Sequence, residues 1–145
     1  MSFTISYPIK YIPLVCHFIK ETFQRLPHEI LFVVTDSDSD RLREFLYAKI
    51  AKRKKQIHPA HNPRFNHDMQ LEIDCIEWAL HKIEVNKLPN DRLEGVIKTM
   101  IKDLEKRKDK AMIRSETDDL WTKIETLQWV LYIIFAIRNG NMVMV

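Results

Sequence analysis

Three of the chain's six histidines fall in one short stretch, His58-Pro59-Ala60-His61-Asn62-Pro63-Arg64-Phe65-Asn66-His67-Asp68. Imidazole beside carboxylate is a common ligand set for a divalent transition metal, and neutral imidazole titrates near physiological pH. His61, His67 and Asp68 are therefore the candidate metal ligands. Glu72 lies one helical turn beyond Asp68 and is placed to hold or activate a water as a general base. Against this stands a plainer reading. Two prolines keep the segment extended, so spacing alone does not aim His58 and His61 at one point, and Pro with Asn also makes an ordinary surface turn.

The His67-Asp68 pair resembles the His-Asp dyad of the HD-type metal-dependent phosphohydrolases, an all-helical family in which the dyad works with an upstream His and a distant downstream Asp. The wording Glu44-Phe45-Leu46-Tyr47, followed by His61-Asn62-Pro63 and His67, is also similar to small HD-related proteins of phage. The resemblance implies His28 or His17 as the upstream ligand and Asp118 or Asp119 as the downstream one. It further implies a bound divalent cation that lowers the pKa of a water attacking a nucleotide or other phosphoester. His17 and His81 lie within helical patterns and suit structural roles, and apart from such a metal no cofactor is indicated.

A second chemical feature is basic. Arg41, Arg43, Lys49, Lys52, Arg53, Lys54 and Lys55 crowd one helical stretch, with five basic residues between positions 49 and 55. Cations in a last helical turn complement the carbonyl end of the dipole, but that role needs fewer of them. Lys49, Lys52, Arg53, Lys54 and Lys55 could face an acidic protein partner or neutralise several phosphates. No aromatic platform interleaves them and no helix-turn-helix spacing is present, so base-specific reading is not supported. Over the whole chain 23 basic residues nearly balance 20 acidic ones, for a net charge of +3, and bulk charge names no partner.

Only two glycines occur in 145 residues, where average usage would give about ten. Strand-rich folds and phosphate loops consume glycine for positive φ and close backbone approach. The chain therefore reads as all-α, a single compact domain over residues 1–145, with about five helices and the C-terminal helix at the centre. Apolar spacing predicts helices over about 13–26 and 40–56. A third is capped by Asn66, with Arg64-Phe65-Asn66 before it left as loop, a fourth runs from Pro89-Asn90-Asp91 to about Met112, and a fifth covers about 116–138. The run 29–35 can be strand or helix, since periodicity does not separate these. The acidic cluster before Arg41 lacks the glycine and terminal glutamate of a calcium loop and reads as an N-cap.

In the third helix Met69, Ile73, Ile76, Leu80 and Ile83 step as a heptad seam, and Leu71, Cys75 and Trp78 form a second apolar face. Leu127 to Ile137 is apolar nearly all round. Burying this surplus between subunits is the expected outcome, so the chain is read as a homo-oligomer. Cys16 and Cys75 read as reduced core thiols. The N-terminus lacks a basic start and apolar run, and the run Trp129–Ile137 is short for a bilayer, so a cytoplasmic protein without a membrane span is expected. The functional expectation is a non-catalytic helical interaction protein, self-associating and engaging a partner through its basic helix. The alternatives are an HD-like phosphohydrolase and a nucleic-acid-binding helical protein.

Overall fold

In the computed structural model residues 37–140 are described. The chain divides into two units, Met1–Asp40 and Arg41–Val145, and apart from the first turn of α1 the helices below belong to the second. The predicted helix over 13–26, the ambiguous run 29–35, His17, His28, Cys16 and the last five residues lie outside the described residues. Within them the structure is all-helical, with four helices and no strand: α1 Asp38–Gln56, α2 Pro63–Glu84, α3 Asn90–Lys110 and α4 Arg114–Arg138.

Each helix starts for a local reason. At α1 the Ser37 hydroxyl accepts from the Asp40 N–H at 3.1 Å, and Asp38 and Asp40 put negative charge in the first turn, so the acidic cluster is a cap as expected. α2 begins three residues before Asn66. Asn62 Oδ1 accepts from the Arg64 N–H at 2.7 Å and Pro63 fills the first helical position, where its missing N–H costs nothing. The Arg64-Phe65-Asn66 loop of the sequence reading is thus helix, and His67-Asp68 stands in its second turn. α4 likewise starts earlier than expected, at Arg114. No side chain caps it, and Asp118 lies 4.0 Å from Arg114. Its end is as predicted, with Asn139 at the cap and Gly140 at φ 72°. Between α2 and α3 the chain turns through Lys87, at φ 57° the one non-glycine in the left-handed region among the described residues. The turn returns the Leu88 N–H to the Lys82 carbonyl.

α4 is the central helix. It packs along both α2 and α3, which touch each other little. Leu120, Ile124, Leu127, Val130, Ile133, Ile134 and Ile137 enter one core with Ile73, Ile76, Leu80 and Ile83 of α2 and with Leu93, Ile97, Ile101 and Leu104 of α3. α1 adds Leu42, Leu46 and Ile50 at i, i+4, i+8, with Phe45 and Ile57 packed beside them, while Ala51 is exposed. Burying such aliphatics is worth roughly 1.5–3 kcal/mol each. α4 also contains an 18-residue window of mean hydropathy 1.3, long and apolar enough to cross a bilayer by composition; half of that window is buried in the protein.

Candidate functional site

The connector between α1 and α2 is tied down by its own polar groups. Asn66, from within α2, donates to the His58 carbonyl at 2.8 Å and accepts from the His58 N–H at 3.3 Å. His61 Nδ1 lies 2.8 Å from the Gln56 carbonyl oxygen, and its ring meets Phe65 edge-on. His58 and His61 are exposed, and their contacts finish a turn. The Asn-Pro pair that caps α2 was visible in the sequence and outweighs Asn66 as a start signal.

His67 reaches across to α4. Its Nε2 lies 3.0 Å from Asp119 Oδ2, while Arg64 donates to Asp119 Oδ1 at 2.7 Å. Burial pulls the Asp119 carboxyl upward, but the hydrogen bonds and charges of His67 and Arg64 outweigh it and hold it below the usual carboxylate range. Arg64 also lies 3.0 Å from Asp68 Oδ1 without hydrogen-bond alignment, so this buried oxygen has a charge partner and no donor. Of the two downstream acids, Asp119 and not Asp118 meets His67; Asp118 is exposed beside Arg114. Glu72 is held by Arg53 Nε at 2.8 Å. No group of three His, Cys, Asp or Glu placed to hold a metal ion occurs among the described residues. Arg64 pairs with Asp68 and Asp119 and Arg53 with Glu72, while His28 and His17, the upstream ligands the resemblance implies, lie outside the described residues.

The basic residues separate into two sets. Lys49 and Arg53 turn inward and, with Asp68, Met69 and Glu72 of α2 and Thr122, Glu125, Thr126 and Trp129 of α4, line a cleft of about 380 Å³. Arg53 bridges Glu72 and Gln56, and the Lys49 ammonium lies 4.7 Å from the centre of the Trp129 ring. Burial lowers the Lys49 pKa and neighbouring Arg53 adds to that. These two cations hold α1 against α2 and α4. Lys52, Lys54 and Lys55 are exposed. The sequence marked the cluster, but which of its members face the protein depends on where α1 docks.

The feature that sequence reasoning only half found is the outer face of α4. Trp121 (48% exposed), Tyr132 (51%) and Phe135 (56%) stay in solvent while the rest of the helix's large apolar residues are buried or packed against the core. Glu125 and Gln128 lie among them, also exposed. By contrast, the heptad seam of α2 is closed within the unit, every member being buried. Its second face is closed in part, with Cys75 and Trp78 packed against the core. Burial raises the Cys75 thiol to about 11, and it is an unoxidised thiol as expected.

Comparison of the chain with protein-family models, with curated proteins and with solved structures finds no match in any of the three.

Proposed function

We propose that this chain is a non-catalytic helical interaction module of the cytoplasm that self-associates through α4 and offers the exposed lysines of α1 to an acidic partner. The carrying observation is the aromatic stripe Trp121, Tyr132, Phe135, half in water on the helix whose other faces form the core. Large aromatics left exposed on one helix face are the usual anchors of protein interfaces. The polar clusters support the same reading, because the carboxylates that would hold a catalytic metal already carry Arg53, Arg64 or His67.

Sedimentation velocity at micromolar concentration tests it. The wild type is expected to run as a dimer or larger species. The double variant Tyr132→Lys, Phe135→Lys is expected to run as a folded monomer, with its helical signal intact because both side chains lie outside the core. A monomeric wild type overturns self-association. For the lysine face, Lys54→Glu with Lys55→Glu should weaken capture of an acidic polypeptide and flatten its salt dependence; unchanged binding would reduce that face to a solvated surface.

A further inference from the structure

The stripe carries information about how a second copy sits on it. At 3.6 residues per turn, positions 121, 125, 128, 132 and 135 fall within an arc of about 80° and run about 21 Å along the helix. They repeat at alternating steps of four and three, the spacing of a coiled-coil seam. The seam is aromatic at 121, 132 and 135 and polar at its middle, where exposed Glu125 and Gln128 stand. Among the described residues no hydrogen bond or ion pair engages Glu125.

Polar residues inside an otherwise apolar seam select its pairing. In a parallel in-register pair each position faces its own copy, so two Glu125 carboxylates would be forced together beneath the aromatic rings. An antiparallel pair centred between residues 126 and 127 removes that conflict. Glu125 then lies opposite the partner's Gln128, whose amide donates to the carboxylate, and twofold symmetry makes this bond twice. The same register sets Tyr132 against the partner's Trp121, again twice. Phe135 falls opposite the partner's Asp118, and the partner's Arg114, one turn away and 94% exposed, can lie on its ring. Antiparallel packing also opposes the helix dipoles favourably.

From this we infer that the partner of the α4 face is a second copy of this chain, docked antiparallel about the Glu125–Gln128 step. The inference rests on the self-association reading and adds its geometry.

Gln128→Lys separates the two. In the antiparallel register the new ammonium meets the partner's Glu125, and the dimer dissociation constant should stay within about threefold of wild type or tighten. In a parallel register the two ammonium groups face each other and the dimer should weaken tenfold or more, a coupling of roughly the size of one close charge pair. Zero-length carbodiimide coupling of a mixture of light and heavy-isotope chains should yield a covalent dimer, with the amide mapping between Glu125 of one chain and position 128 of the other. Sedimentation equilibrium of both proteins completes the test. A dimeric wild type whose variant is tenfold weaker or carries no such cross-link overturns the antiparallel register alone. A monomeric wild type, the result expected if residues 1–36 of the same chain or an unrelated partner cover the stripe, overturns the self-association reading and the register with it.

Discussion

Two seams in this protein share a spacing and meet opposite fates. On α2, Met69, Ile73, Ile76, Leu80 and Ile83 step by four and three and are all buried. On α4, Trp121, Glu125, Gln128, Tyr132 and Phe135 step the same way and are all exposed. Spacing shows that a helix face wants a neighbour; it does not say whether the neighbour is in the same chain. Composition separates them better. The α2 seam is wholly unbranched or branched aliphatic, which close packing inside a domain rewards. The α4 seam is aromatic with two polar residues at its middle, and an aromatic tipped by a hydroxyl or indole N–H suits a surface that is sometimes wet.

The largest expected effect lies in the closed seam and the α4 face beneath the open one. Ile76→Ala and Ile134→Ala, at 0% and 1% exposure, should each cost roughly 3–5 kcal/mol in a denaturant melt, through lost transfer energy and a residual cavity. Leu131→Ala, packed against the core but not buried in it, should cost less than either. If Tyr132→Ala matched these values at a concentration where the protein is monomeric, the contrast between the seams would be broken.

Next comes the pair that fastens α1. Arg53 and Glu72 are only 20% and 18% exposed, so Arg53→Ala strands a carboxylate that has lost its donor and should cost roughly 1–2 kcal/mol. Lys54→Ala on the solvent side should be within about 0.5 kcal/mol of wild type. Equal losses would mean that the inward and outward lysine and arginine sets do not differ.

The Asp119 cluster should give a smaller effect, visible only in acid. Its folded carboxyl titrates below the ordinary value of 3.8, so its stabilisation is complete above the unfolded pKa and disappears as pH falls through the lower, folded one. Asp119→Asn should therefore melt below wild type at neutral pH, and the two should converge below about pH 4. Persistent separation in acid would assign the loss to shape and not to charge.

Smallest of all, His61→Ala should change stability by less than about 1 kcal/mol, with or without chelator. A large loss restored by added metal would return the connector to the metal-binding reading. Cys75, with its thiol raised to about 11, should react with a thiol reagent at pH 8 far more slowly than in the unfolded chain.

Much of the fold was legible because it is local. Glycine scarcity, the Asn139-Gly140 stop and the apolar periods of α1 to α4 specify helices and their inner faces. The start of α2 was misplaced by four residues because two capping signals competed, and only the geometry of Asn62 and Asn66 shows which one caps; α4 starts two residues early, at Arg114, with no side-chain cap at all. The candidate site was less legible. The resemblance offered Asp118 or Asp119 as the downstream partner of His67, but with 52 positions between His67 and Asp119 no local signal says which of the two it meets.

By itself the sequence determined that residues 37–140 are helical and which residues of each helix are apolar, since both follow from backbone propensity and from periods within one segment. Tertiary structure alone decided which seam was used up. Docking α2 and α3 on α4 closes the aliphatic faces. That leaves Trp121, Tyr132 and Phe135 outside, turns Lys49 and Arg53 inward, and gives the carboxylates arginine partners, outcomes set by the relative rotation of helices that no single segment encodes.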